Sequence, residues 1–329
     1  MIDRNITWNG EFTTYPLADI AGSTVELYSI ERQDRIRNDR RAARGQIMQL
    51  LQRNPEEALG FLDATEEGYL LQSPVRDAQM STQERVTAML GNIDLLRSIE
   101  EYYPLSVRVH RGIPSTTINA TASTAFGYVV SGTVFAHQND RPLGDFTAGK
   151  YFALNGFIDI GGKTDDALVV VINRAGYRRG DDIGNAPDNP QMEYLSGCQD
   201  TSLTAPDRNG APCTNLLFVN PGTKQDAHIH PSDRIGVVID GTAICSTFEF
   251  GGASESSQQL WKEQTMKKGD LFLLPAGKLH RFTTGADPLT VFTFHPDSAT
   301  DSAADNPMML GTIRSADDAK QWRDRVSGS

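Results

Sequence analysis

The sequence predicts a mainly β protein in which two β-barrels follow an α-helical N-terminal region, and three observations carry that expectation. From about residue 105, short β-branched and aromatic runs alternate with Gly, Asp, Asn and Pro turns, the texture of a sandwich or barrel. That region repeats itself in order. "FGYVVSGTVFA" (126–136) aligns with "IGVVIDGTAIC" (235–245), "GKYFALNG" (149–156) with "GDLFLLPA" (269–276), and "ALVVVINR" (167–174) with "PLTVFTFH" (288–295). Before residue 105 the pattern is helical instead.

Taken in order, residues 1–30 read as short strands broken by turns, followed by a helix that becomes apolar only toward its C-terminal end near residue 53. Asn54, Pro55 and Glu57 start a second helix as N-cap, first helical residue and third-position acid. A third spans 82–102: Ser81 and Glu84 form a capping box, Val86, Leu90, Ile93, Leu96 and Ile99 share one face, and Pro104 stops it. The chain thus divides into N-terminal strands and helices (1–104), a first barrel (105–178), a polar interdomain loop (179–214), a second barrel (215–296) and a tail (297–329) with a short helix near 316–326 capped by Ser315.

Composition excludes several functions. With 39% hydrophobic and 22% charged residues, the chain reads as globular. A net charge of −11 argues against a nucleic-acid binder, which needs a basic surface. The arginines at 32, 35, 37, 40, 41 and 44 alternate with Glu31, Asp34 and Asp39 and read as a solvated or lid-like helix. The start "MIDRNITWNGEF" has no apolar leader, and no run reaches the roughly 20 apolar residues of a membrane span, so a cytoplasmic location is expected. Cys198, Cys213 and Cys245 make no disulfide framework and read as free thiols, Cys245 as a buried small residue.

"DAHIHPSDRIGVVIDG" (226–241) carries the chemistry. On a strand, residues two apart point the same way, so His228 and His230 share a face, with Asp226 beside them if the strand begins early. Some fifty residues on, "KKGDLFLLPAGKLHRF" (267–282) supplies His280 after a Pro-x-Gly turn, at the start of the next strand. Two imidazoles from one strand and one from a neighbour occupy one face of a metal ion and leave positions open.

This arrangement resembles the cupin superfamily. Its first motif, G-x5-H-x-H-x(3,4)-E-x6-G, is matched by Gly222, His228, His230 and Gly241. Its second, G-x5-P-x-G-x2-H-x3-N, is matched by Gly269, Pro275, Gly277 and His280. The resemblance covers 215–296 and reaches 105–175 through the repeat, which implies a bicupin; the helical region lies outside it. It implies His228, His230 and His280 as ligands of one divalent metal per chain, Fe(II) first, with Zn, Ni or Mn as alternatives. Arg234 stands where the family places a carboxylate, and Thr284 where it places an asparagine. In the first barrel the repeat puts Asn119 and Thr121 in place of the histidine pair, Ala125 at the carboxylate position and Ile160 at the third histidine, so that copy is expected to hold no metal.

Arg234 is a candidate to grip a substrate carboxylate or enolate, against a surface arginine paired with Asp233. Asp226 is a candidate base or further ligand, against a solvated turn residue, and Asp233 would serve as ligand if the turn slips. His295 reads as a packing or turn histidine. The function expected is a metal-dependent enzyme, a non-haem Fe(II) oxygenase acting on a small anionic or enolisable organic molecule. A non-redox lyase, isomerase or cyclase, or a non-catalytic binding bicupin, are the alternatives. By analogy with the family, a homodimer is expected.

Overall fold

The computed structural model describes residues 4–63, 80–248, 261–298 and 311–327. Two sheets account for the β structure. Strands β1 (Arg4–Thr7), β3 (Ser23–Glu26), β4 (Leu105–Arg111), β5 (Thr116–Ser131), β6 (Thr133–Gln138), β7 (Arg141–Thr147), β8 (Lys150–Gly162) and β9 (Leu168–Ala175) form the first, in the order β1-β3-β4-β9-β5-β8-β6-β7, with β10 (Asp182–Asn185) added to β8. The second contains β2 (Thr13–Pro16), β11 (Met192–Glu193), β12 (Gln199–Thr204), β13 (Cys213–Val219), β14 (Arg234–Phe248), β15 (Trp261–Lys267), β16 (Asp270–Leu274) and β17 (His280–His295). Its order is β11-β12-β13-β17-β14-β16-β2, with β15 on β14.

The repeat survives in three dimensions. Gly127 of β5 lies opposite Phe152 of β8, and Gly236 of β14 lies opposite Phe272 of β16. At both glycines a Cβ would collide with the facing ring, so each aromatic fills the space its glycine leaves. The third aligned segment shifts by one residue, however: Gly127 pairs with Val171 but Gly236 with Thr293, so Val171 corresponds to Thr293 and not to Phe292. Ungapped apolar runs do not fix register; the inward or outward direction of each side chain does.

That direction alternates strictly. Phe126 and Tyr128 of β5, Ile235 and Val237 of β14, Leu271 and Leu273 of β16, and Phe292 and Phe294 of β17 share one core between the barrels. Tyr128 stacks on Phe292 with ring centroids 4.8 Å apart, and Phe126 meets Phe294 at 5.1 Å. The intervening residues point into the barrels. The first is filled by Ala125, Val129, Phe146, Phe152, Leu154, Val169 and their neighbours. The second has an apolar floor of Val238, Phe272, Leu289 and Val291.

The N-terminal segment laces the barrels together, since β1 and β3 join the first sheet while β2 pairs with β16 of the second. Residues 179–214 are not merely a loop: β10 closes onto the first barrel and β12 pairs with β13 in the second. Helices α1 (Ile30–Arg53), α2 (Pro55–Asp63), α3 (Thr82–Ser98) and α4 (Ala316–Ser327) pack beside the second barrel. The capping box at Ser81 and Glu84 is formed, and Ser315 Oγ accepts from the Asp318 N–H at 3.2 Å. Helix α3 stops at Ser98, short of residue 102, and Glu101 then bridges Ser232 before β4 begins. Among the described residues, no helix is long and apolar enough to cross a membrane.

Candidate metal centre

His228 and His230 sit just ahead of β14, on a segment paired by isolated bridges: His228 to His280, and Ile229 to Ile313. The alternation expected of a strand still holds. Ile229 and Leu279 turn outward into the core formed with the helices, while His228, His230 and His280 turn into the second barrel. The potential ligand atoms of the three histidines lie within 4.8 Å of one another, and all three side chains are buried. This is the single such group found among the described residues.

Their tautomers are fixed by the backbone. His228 Nδ1 donates to the Asp226 carbonyl at 2.9 Å, His230 Nδ1 to the Gly311 carbonyl at 2.7 Å, and His280 Nδ1 to the Lys278 carbonyl at 2.9 Å. Each neutral ring therefore keeps its lone pair on Nε2, as a metal-binding imidazole requires. Burial holds the His228 pKa down to about 4, and burial together with the Arg234 charge holds that of His230 well below the ordinary value. His280 is lowered by burial and by His228. Three neutral nitrogen donors, converging from two segments, fit a divalent ion of the zinc, iron, nickel or manganese kind.

The same burial links stability to pH. With a folded pKa near 4 against about 6.5 unfolded, His228 contributes stability that is full above pH 6.5 and is lost as pH falls toward 4, because the unfolded state takes up the proton first. For the metal-free protein, His228 alone is expected to cost roughly 3 kcal/mol between pH 7 and pH 4. Guanidinium unfolding of metal-stripped wild type and His228→Ala at both pH values isolates it by difference; an equal pH dependence in the two proteins would contradict the buried neutral imidazole.

The cavity in front of the histidines is small, about 30 Å³, and Leu217, Phe272, Leu274 and Phe282 give it apolar walls. Arg234 lines it and is buried. Its partner is Asp297, at 3.0 Å, not Asp233. Nη1 makes that ion pair and also reaches the Ser232 carbonyl, whereas Nε and Nη2 are buried without a hydrogen-bond partner. Those two N–H groups form the side-on edge of the guanidinium, the fork that takes a carboxylate.

Two candidates fall away. The Asp226 side chain is exposed and does not line the cavity; only its carbonyl serves the site, because residue 226 precedes the paired segment. Asp233 faces away from the cavity toward Arg32, as its odd position on the Arg234 strand demands. Arg32 is accordingly buried and not part of a solvated arginine face.

Other residues enter that the sequence reading had set aside or passed over. His295, expected to pack in a turn, is the last residue of β17 and lines the cavity, its ring 6.2 Å from that of His230 and its Nε2 buried without a partner. Burial and then Arg234 hold its pKa well below the ordinary range. Tyr194, Gln225 and Thr293 also line the cavity, with the Tyr194 hydroxyl 2.8 Å from Thr312 Oγ1. Strand parity was the available signal for His295: with Phe292 and Phe294 pointing to the other barrel, Thr293 and His295 must point inward.

In the first barrel, Asn119 and Thr121 are exposed and bonded to each other, and Ala125 is buried in the filled interior. Phe157, not Ile160, lies opposite Asn119, because the turn carrying Pro275 and Gly277 has a shorter counterpart there.

No family model matches the chain. Among solved structures, it is similar to a cupin 2 conserved barrel domain protein from Leptotrichia buccalis, at 16% identity and TM-score 0.43, covering 59% of this chain and 83% of that one. It is similar to a putative glyoxylate induced protein from Pseudomonas aeruginosa at 14% identity and TM-score 0.45, covering 59% and 74%. A Bacillus subtilis oxalate decarboxylase variant matches at 12% identity and TM-score 0.40, covering 59% and 69%. Two tandem β-barrels share one core, and among the described residues the second carries a three-histidine group able to hold a divalent metal ion.

Proposed function

We propose that the chain is a metal-dependent enzyme that holds a small anionic or enolisable substrate between the His228–His230–His280 group and Arg234, with Fe(II) as the metal and O2 as co-substrate. The observation that carries this reading is the bare Nε/Nη2 edge of Arg234, buried beside three imidazoles whose lone pairs converge. Buried donors without partners cost about 1–3 kcal/mol each, and a bound carboxylate or enolate removes that cost. Three neutral ligands leave the ion its full positive charge, which supplies Lewis acidity and, with iron, O2 chemistry. The chain's own part is to fix the three imidazoles, orient the anion through Arg234 and exclude water with Leu217, Phe272, Leu274 and Phe282. A non-redox lyase, isomerase or cyclase is the second reading, favoured by His295, whose unpaired Nε2 is placed to accept a substrate proton.

Metal analysis by plasma mass spectrometry, on protein purified anaerobically without added metal, separates these readings. Iron near one per chain, absent from a His228→Ala/His280→Ala variant, is the expected result. Zinc, nickel or manganese at that level would move the second reading to the front. Metal equally present or equally absent in both proteins would overturn the three-histidine site and leave a binding protein.

A further inference from the structure

His228 and His280 exchange a pair of backbone hydrogen bonds, at 3.1 and 3.0 Å, which fix that end of the segment, whereas from His230 to the start of β14 the chain is held by other contacts. Asp233 supplies one of them. Its Oδ1 accepts the Ala276 N–H at 2.9 Å, tying the first histidine segment to the Pro275–Gly277 turn that leads to His280. The Gly277 N–H returns the tie by donating to the His230 carbonyl at 2.8 Å. Asp233 is itself gripped from outside the barrel. Arg32, in the first turn of α1, donates Nη1 to Oδ2 at 3.0 Å and Nη2 to Oδ1 at 2.9 Å, a two-pronged pair with both side chains 3% exposed.

The N-terminal region is shaped to deliver that guanidinium. It lies 4.2 Å from the centre of the Trp8 ring, and Nη1 also donates to the Leu27 carbonyl at 2.7 Å. Gly10 has a φ of +86° and leaves room for it: a Cβ there would stand 2.6 Å from Arg32 Nε. The Ser29 hydroxyl caps the helix by accepting the Arg32 N–H. Nothing in this apparatus touches the cavity. Among the described residues, its link to the histidines is the carboxylate that joins the two histidine segments.

We infer that Arg32 is a positioning residue for the metal centre: through Asp233 it holds the His230 end of the histidine segment against the turn that leads to His280, making the N-terminal helix part of the site. The inference rests on the metal reading above. Its test uses the full chain, stripped of metal and titrated with Co(II), whose visible absorption reports the number and geometry of its ligands. Wild type is compared with Arg32→Lys, which keeps the charge but not the fork, and with an Arg32→Met/Asp233→Asn double variant, which buries no lone charge and keeps an acceptor for Ala276. Arg44→Met, on the exposed side of the same helix, is the control. The expected result is one Co(II) per wild-type and Arg44→Met chain with the same spectrum. Both Arg32 variants, folded by circular dichroism, should bind at least about tenfold more weakly with an altered spectrum. Wild-type affinity and spectrum in either folded Arg32 variant would overturn the inference while leaving the metal reading intact. No Co(II) binding by wild type would overturn the metal reading and this inference with it.

Discussion

Replacing Arg234 with methionine is expected to raise the Kd of metal-loaded protein for one- and two-carbon carboxylates about 100-fold while leaving the metal in place. The guanidinium offers two charge-assisted hydrogen bonds from a buried edge, and such bonds contribute about 1.5–3 kcal/mol each. Losing the fork therefore costs about 3 kcal/mol of binding even after partial compensation by water. The substitution also strands Asp297, whose ion pair with Arg234 has side chains 4% and 1% exposed. Breaking a pair buried to that degree typically costs about 3–5 kcal/mol of stability. A second substitution, Asp297→Asn, separates the two effects, since it should restore most of the stability and none of the affinity. Calorimetric titration and chemical unfolding of the single and double variants measure this. A double variant that binds carboxylates like wild type would remove Arg234 from the site.

The second large effect lies far from the histidines. Phe292→Ala is expected to destabilise the protein by about 3–5 kcal/mol and to loosen both barrels together. Phe292 is fully buried, stacks on Tyr128 of the first barrel and pairs with Val237 within the second. Its ring thus belongs to a core that neither barrel owns. Hydrogen exchange read by mass spectrometry distinguishes shared from separate stability: protection should fall in β5 and β9 as well as in β14 and β17. Loss confined to β14 and β17 would show that the barrels are stabilised independently. The result bears on function, because the shared core fixes which way β17 faces, and so places Thr293 and His295 inside the second barrel.

How much of this was legible beforehand follows the range of the interactions concerned. The first two segments of the β repeat, the helix caps and the three histidines are set by local spacing and stand where their motifs placed them, whereas the third repeat segment moved by one residue and α3 ended at Ser98. The equivalent of His280 was misjudged as Ile160 because a turn of different length shifts every later position. Asp226 was overvalued because spacing alone cannot tell where a strand begins.

By itself, then, the sequence determined the two-barrel architecture, the three-histidine group and the arginine close behind its first two histidines, because each depends on residues a few positions apart. Only the tertiary structure decided what surrounds them. It paired Arg32 with Asp233 across 201 positions and Arg234 with Asp297 across 63, and it turned His295 inward. Buried charges must find partners wherever the fold brings one within reach, and no local pattern records which partner that will be.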